Sequence, residues 1–297
     1  MQRLNHLSPL QLASLGAYAL FVTACGSSAP APATAATSPT SATESKGETD
    51  AKLRASLAGP QRTDAERKRD AYRHPLETLE FFGLKEDMSV VELSPGGGWY
   101  TAVLAPVLRD HGKLEVAGGN ANGDPNSEGT KHAQQLLERF QKMPQAFDKV
   151  HAIYFDKAKD FDLGAPESAD MVLTFRNLHN WVEDGVVDKV LAASFKALKH
   201  GGTFGLEEHR ANPGASTDPK TVGDTGYLPE DYVVKLVEGA GFKLAGKSEV
   251  NANPKDTKDH PKGVWTLPPN YALGETDHAK YEAIGESDRM TLKFTKP

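Results

Sequence analysis

A run of three glycines directly follows a short apolar stretch and constrains the fold more than any other feature of the sequence. The stretch "MSVVEL" (88–93) has the apolar, β-branched composition of a buried strand, and "PGGGWYT" (95–101) comes after it. Glycine permits left-handed backbone angles and close approach of a ligand or a helix. Such a turn after a strand is typical of α/β proteins, in which ligands bind beyond the carboxyl ends of the strands.

Helical and strand-like patterns alternate along the chain on both sides of this turn. The pattern predicts helices over 65–84, 99–110, 129–142, 182–202 and 229–242. It predicts strands over 88–93, 112–119, 149–155, 169–175, 203–209, 243–250 and 288–295. This order predicts an α/β fold with a doubly wound, Rossmann-like sheet of seven strands. No convincing helix separates the final two strands, so we expect the last strand to be antiparallel.

The first residues have the composition of a targeting segment. Residues 1–24 contain Arg3 and an apolar core that is too short to span a membrane, which predicts a signal peptide. Small residues lead into Cys25, the only cysteine of the chain. This arrangement resembles the lipobox of bacterial lipoproteins, which implies lipidation of Cys25 and a location in the bacterial cell envelope. Ordinary secretion with a free thiol is the alternative.

Composition divides the rest of the chain into two parts. Residues 25–58 are rich in Ala, Ser, Thr and Pro, which predicts a disordered tether. Residues 59–297 have the length of a single α/β domain. The formal net charge is −6 and basic residues form no long patch, which argues against nucleic acid as a partner.

Two kinds of nucleotide-binding loop compete as interpretations of the glycines. A dinucleotide-binding loop requires G-x-G-x-x-G and an acid about 20 residues further on. Gly96 and Gly98 begin that pattern, but Thr101 occupies its third position and no acid ends the second strand. The loop is more similar to the acid-x-Gly-x-Gly-x-Gly loop of class I S-adenosylmethionine-dependent methyltransferases. Glu92, Ser94, Gly96 and Gly98 match it, with serine at the first glycine.

Further motifs extend this resemblance over the chain from about residue 65 onward. "YRHPLETLEFFGLKEDMSVVELSPGGGWYTAVLAP", "TFRNLHNW", "GGTFGLEEHRA", "AGFKL" and "NPKDTKD" occur in this order. Together they resemble a family of predicted class I methyltransferases of bacterial envelopes, many of which carry signal peptides. The resemblance implies the seven-stranded methyltransferase fold, S-adenosyl-L-methionine as cofactor and an undefined methyl acceptor.

The resemblance also implies a set of cofactor-binding residues. The expected set is Glu92, Ser94, Gly96, Gly97, Gly98, Asn120, Asp156, Asp160 and Asn177. Glu92 would organise the loop, and the loop would border the methionine part of the cofactor. Asn120 would take the place of the acid that usually holds the ribose hydroxyls, and Asp156 or Asp160 would meet the adenine amino group.

Two histidines are the expected catalytic residues. Methyl transfer is a direct displacement that needs alignment, together with a base when the acceptor must lose a proton. His179 follows the fourth strand and His209 ends the fifth, so both are predicted at the ligand-binding edge. A purely structural, hydrogen-bonded role is the alternative for each. We expect no metal site at Glu207, Glu208 and His209, because neighbouring residues on a strand point to opposite faces.

Two wider expectations follow. The polar stretch 251–287, which contains Trp265, Pro268 and Tyr271, is predicted to form a flap over the acceptor site. A non-catalytic small-molecule-binding or structural envelope lipoprotein on a methyltransferase scaffold remains the alternative function. Ser94 and the missing acid after the second strand favour that alternative, whereas the intact glycine run favours the enzyme. Oligomeric state is left open.

Overall fold

A computed structural model describes residues 39–155 and 161–297 of the chain. Seven strands form one sheet in the order β3-β2-β1-β4-β5-β7-β6. The strands are β1 (Ser89–Leu93), β2 (Lys113–Gly118), β3 (Val150–Tyr154), β4 (Ala169–Phe175), β5 (Leu198–His209), β6 (Lys243–Ser248) and β7 (Arg289–Thr295). Strands β1 to β5 pair in parallel, and β7 is antiparallel to both β5 and β6. The predicted seven-stranded sheet with an antiparallel last strand is confirmed.

Helices cover both faces of the sheet. They are α1 (Pro39–Ala58), α2 (Asp64–Lys68), α3 (Asp70–Arg73), α4 (Pro75–Phe82), α5 (Thr101–Leu108), α6 (Glu128–Lys142), α7 (Pro144–Phe147), α8 (Leu178–Glu183), α9 (Val187–Ala197), α10 (Pro219–Thr225), α11 (Glu230–Gly239) and α12 (His278–Ile284). A short 3-10 helix spans Gly263–Thr266. Within the described residues, no helix combines the length and apolar composition needed to cross a bilayer.

Two apolar cores lie on opposite faces of the sheet because side chains alternate along each strand. Val90 of β1 packs with Leu53, Leu79 and Leu104 on one face. Its neighbour Val91 packs in a cluster with residues of α8, α9 and α11 on the other face. Central strands buried on both faces have the continuous apolar composition that first indicated them in the sequence.

Two predicted helices are interrupted. The helix predicted over 65–84 is divided into α2, α3 and α4, and His74 between the last two has a left-handed φ of 39°. Pro75 follows it, and a proline disfavours the helical conformation of the preceding residue. The helix predicted over 182–202 is divided into α8 and α9, and β5 already begins at Leu198. Gly201 and Gly202 therefore belong to a strand and do not terminate a helix.

The prediction of a disordered tether over 25–58 is wrong for its last part, because α1 occupies residues 39–58. Leu53 is completely buried, and Leu57 packs against the same core. The two leucines are four residues apart and so lie on one side of the helix. The Ser56 hydroxyl donates to the carbonyl of Val103 on α5 at 2.7 Å. The predicted signal peptide (1–24), Cys25 and the tether up to residue 38 lie outside the described residues.

Candidate functional site

The segment after β1 forms a tight turn with three left-handed residues. We call residues 94–98 the glycine loop. Ser94, Gly96 and Gly98 have φ angles of 48°, 57° and 81°. The Ser94 N–H donates to the carbonyl of Ala117 on β2 at 2.7 Å. Ser94 thus adopts the backbone conformation that a glycine would take more readily, which explains why glycine is the expected residue there.

The glycines of the loop meet different surroundings. A Cβ atom at Gly98 would lie 2.6 Å from a methyl carbon of Leu136 on α6, so close helix packing requires glycine at this position. A Cβ atom at Gly96 would have no atom within 4 Å, and Gly97 is exposed. The backbone at Gly96 therefore faces open space, where a ligand can approach it.

Glu92 is buried beneath this loop. Its carboxyl group is only 2% exposed and accepts a hydrogen bond from the Thr101 hydroxyl of α5 at 2.6 Å. Burial raises the pKa of Glu92 to about 7, although the bond from Thr101 opposes this shift. Glu92 consequently joins the strand before the loop to the helix after it.

The end of β2 carries no carboxylate. Gly118 and Gly119 are followed by exposed Asn120, whose side-chain oxygen accepts from the N–H of Asn122 at 2.9 Å. The amide that was expected to meet the ribose is therefore part of a local turn. Asp156 and Asp160, the residues expected near the adenine, lie outside the described residues.

Asn177 follows β4 and binds the glycine loop directly. Its side-chain amide donates to the carbonyls of Leu93 and Ser94 at 3.2 and 3.3 Å. The same amide contacts the Thr174 hydroxyl at 3.1 Å. Asn177 thus holds the loop in place through its NH₂ group, and we assign it this positioning role in addition to the expected contact with the cofactor.

His179 forms a buried pair with Glu208 of β5. His179 is 4% exposed, and its Nδ1 lies 2.9 Å from Glu208 Oε1. The carboxylate also accepts from the backbone N–H groups of Leu178, His179 and His209. A carboxylate that accepts these bonds places a ring proton on Nδ1, so that a neutral imidazole would present its lone pair at Nε2. This arrangement orients a histidine as a proton acceptor.

His209 lies beside His179, with ring centroids 5.3 Å apart. Its Nδ1 is 2.6 Å from the Ser287 hydroxyl. Burial, helped by the charges of Arg176, Arg289 and Arg73, lowers the pKa of His209 well below its ordinary value. His209 is therefore neutral at pH 7. The structure brings together both histidines that were predicted from the sequence.

Ligand atoms of His179, Glu208 and His209 all lie within 4.8 Å of one another. The argument against a metal site considered only neighbouring residues of β5. His179 on α8 offers a further ligand from outside that strand. The carboxylate of Glu208 is, however, already bonded to three backbone N–H groups and one imidazole. The expectation of no metal is thus neither confirmed nor contradicted by this grouping.

A cavity of about 90 Å³ opens next to His209. Arg73, Arg176 and Glu286 line it from one side, and Trp265 and Pro268 from the other. The last two belong to the stretch 251–287 that was predicted to cover the acceptor site. Arg176 directly follows β4, but sequence reasoning did not single it out. Its position just before Asn177 was the only sequence signal for a role at this edge.

The aromatic pair after the glycines packs against the same region. The Trp99 ring lies between the guanidinium groups of Arg62 and Arg73, at 4.8 and 4.7 Å from its centroid. Tyr100 stacks on Phe175 at 3.5 Å between centroids. Trp99 and Tyr100 are buried, so both stabilise the start of α5.

No protein-family model and no curated protein matches the sequence. Solved structures do resemble the fold. An S-adenosylmethionine-dependent methyltransferase from Aquifex aeolicus is 16% identical, with a TM-score of 0.51, over 84% of this chain and 98% of its own. The cyclase SpnF is 14% identical, with a TM-score of 0.54, over 85% of this chain and 94% of its own.

A sarcosine dimethylglycine methyltransferase from Galdieria sulphuraria, itself described as putative, is 13% identical with a TM-score of 0.53. It covers 78% of this chain and 87% of its own. The chain therefore has the fold of the class I S-adenosylmethionine-dependent methyltransferases. Because SpnF is a cyclase on this fold, the fold alone does not determine the reaction.

The raised pKa of Glu92 predicts a pH-dependent stability. The pKa of Glu92 is about 7 in the folded protein, and its ordinary value, which applies to the unfolded chain, is 4.5. Between these two pH values Glu92 is therefore ionised mainly in the unfolded chain. The free energy of unfolding should therefore fall by about 3 kcal/mol from pH 4.5 to pH 7 through this group. Glu92→Gln removes this loss, which urea unfolding at a series of pH values measures.

Glu282→Gln, at an exposed position of α12, serves as the matched control and should leave the wild-type pH dependence unchanged. Parallel curves for Glu92→Gln and the wild type would show that Glu92 is ionised in the folded protein.

Proposed function

We propose that this protein binds S-adenosyl-L-methionine at the glycine loop and transfers its methyl group to a small-molecule acceptor. The observation that carries the proposal is the left-handed turn after β1, with open space at Gly96. Asn177 fastens this turn to the end of β4, and His179 follows on α8. A ligand-binding turn and a proton acceptor thus lie at the same edge of the sheet.

The cofactor, when bound, supplies an electrophilic methyl group on a sulfonium sulfur. His179 would accept the proton of an acceptor hydroxyl or amine at Nε2, while Glu208 holds the proton on Nδ1. His209 is kept neutral by its lowered pKa and gives a second proton-accepting ring in the same place. Packing around the buried His179 holds its ring in one orientation, which favours alignment of acceptor and methyl group.

A non-catalytic binding role is the second candidate, and two observations favour it. Ser94 occupies a left-handed position where the methyltransferase loop has glycine. Asn120 at the end of β2 is engaged in its own turn and offers no negative charge to a ribose. Both features are expected to weaken cofactor binding relative to a loop with glycine and a carboxylate.

We further propose that Cys25 is lipidated and anchors the protein in a bacterial cell envelope. The short apolar core and the small residues before Cys25 support this proposal. Expression in a bacterial host should place the wild type in the membrane fraction with a mass increase at Cys25. Cys25→Ser should move it to the soluble fraction, and a wild-type protein without added mass would contradict the proposal.

Substitution in the glycine loop tests cofactor binding. Gly96→Val places a branched side chain in the open space next to Gly96. This variant should bind S-adenosylmethionine at least about tenfold more weakly, as measured by calorimetric titration. Gly214→Val is the matched control, because Gly214 also has a positive φ and no atom within 4 Å of a built Cβ. Equal affinities of the two variants would place the cofactor elsewhere.

Substitution of His179 tests the chemistry. His179→Gln should lower the rate of S-adenosylhomocysteine release, with a panel of phenols, amines and carboxylic acids as acceptors, by about 10²- to 10⁴-fold. The affinity for S-adenosylmethionine should remain unchanged. His132→Gln, at an exposed position of α6, is the control. Cofactor binding without turnover of any acceptor by the wild type would favour the binding protein.

A further inference from the structure

The cavity beside His209 is surrounded by an unusual excess of positive charge. We call Arg69, Arg73, Arg176 and Arg289 the arginine cluster. The first three line the cavity, and Arg289 lies just behind it. Arg289 is 1% exposed and Arg73 5% exposed, so these charges are held away from water.

Among residues 39–155 and 161–297, two carboxylates pair with the arginine cluster. Glu207 accepts from Arg176 and Arg289 at 2.8 and 3.0 Å. Glu286 accepts from Arg69, Arg73 and Arg289 at 2.6, 3.2 and 3.3 Å. Four guanidinium groups thus share two carboxylates, which leaves an excess of two positive charges.

The protonation states of the neighbouring carboxylates and of His209 leave the excess of positive charge in place. Although burial opposes it, Arg73 and Arg289 lower the pKa of Glu286 to about 2. Both carboxylates are therefore already ionised and cannot supply further negative charge. His209 is neutral and contributes none. Burial, followed by repulsion from Arg176, lowers the pKa of Arg73.

Two further acids near the cavity already have partners. Glu208, on the other side of His209, is occupied by three backbone N–H groups and His179. Asp288 is bonded to Arg210 and Lys258. Buried charge without a partner is costly, so this arrangement favours a ligand that brings negative charge with it.

The arginines that line the cavity also have unused hydrogen-bond donors. A guanidinium group has five N–H donors. Within the described part of the chain, the side chains of Arg69, Arg73 and Arg176 each make one hydrogen bond. Planar guanidinium groups with free donors match the oxygen atoms of carboxylates and phosphates in pairs.

The same charges argue against a metal ion at the histidines. A divalent cation held by His179, Glu208 and His209 would lie next to the arginine cluster, whose charges already lower the pKa of His209. Repulsion between like charges in buried surroundings disfavours that occupant. The electrostatics of the cavity therefore favour an anion over a cation.

We propose that this cavity binds a carboxylate or phosphate group of the methyl acceptor, so that the acceptor is an anionic small molecule. The proposal rests on the proposed methyl transfer. The cavity has room for several waters and hence for such a group. It is lined by His209 and by Trp265, whose ring lies 6.0 Å from the His179 ring between centroids. An acceptor held there by its anionic end lies next to the His209 ring.

Inorganic phosphate is the probe for the first experiment. Thermal unfolding of the full chain is measured at increasing phosphate concentrations. Sodium chloride keeps the ionic strength constant. The midpoint temperature should rise with phosphate, because a ligand that binds the folded state stabilises it. Arg176→Gln should weaken the phosphate affinity about tenfold or more.

The control is Arg109→Gln, which changes a partly exposed arginine after α5 that pairs with Asp148. This variant should respond to phosphate like the wild type. If Arg176→Gln does not fold, Arg69→Gln replaces it, because Glu286 then keeps Arg73 and Arg289 as partners. A wild type without a phosphate response, or equal responses in the cluster variant and the control, would overturn the proposal.

A second arm separates the acceptor from the cofactor, whose methionine end also carries a carboxylate. The phosphate titration is repeated with saturating S-adenosylhomocysteine and with 5′-methylthioadenosine, which lacks the amino acid part. An unchanged phosphate response with both supports an acceptor anion. A response lost only with S-adenosylhomocysteine assigns the cavity to the cofactor's own carboxylate and overturns the proposal.

The same measurements test the anion site and the proposed methyltransferase function separately. Stabilisation by S-adenosylhomocysteine without any phosphate response would leave the cofactor site standing and refute the anion site. A phosphate response without binding of S-adenosylhomocysteine would refute the methyltransferase function, and with it the assignment of the anion to an acceptor.

Discussion

The buried carboxylate of Glu207 is the interaction on which the arrangement of the candidate site depends. Glu207 is completely buried on β5 and accepts hydrogen bonds from Tyr100 after the glycine loop, Arg176 after β4 and Arg289 of β7. One side chain thereby joins three segments that are far apart in the sequence. Breaking such a buried network by removing one member typically costs about 3–5 kcal/mol, because charges remain without partners.

Two kinds of polar feature are arranged around this carboxylate. The glycine loop presents bare backbone and open space at Gly96, which permits close approach of a ligand. The cavity beside His209 presents buried and half-buried guanidinium groups with free donors, which suits an anion. Between them, the pair of His179 and Glu208 keeps a lone pair on one imidazole nitrogen. The two features would therefore bind different parts of a reacting pair.

Much of the fold was predictable because local patterns agree with it. Alternating strand and helix patterns placed every strand of the sheet, since buried central strands need continuous apolar runs. The predicted element boundaries were wrong where one residue or a few determine the local structure. Pro75 interrupts a helix pattern, and Leu53 with Leu57 turns an otherwise polar segment into a packed helix. Spacing patterns and composition both average over such single residues. The patterns therefore predicted a longer helix, and composition predicted a longer tether.

By itself the sequence determined the positions of the strands along the chain, the glycine loop after β1 and the placement of His179 after β4 and of His209 at the end of β5. These features are local, and the carboxyl ends of parallel strands necessarily meet at one edge of the sheet. Only the tertiary structure decided that Glu208 pairs with His179 and that four arginines share two carboxylates. Their members come from the segment around α3, the turn after β4, α8, β5, the turn before β7 and β7 itself. Pairings over such sequence distances depend on three-dimensional packing that no local pattern encodes.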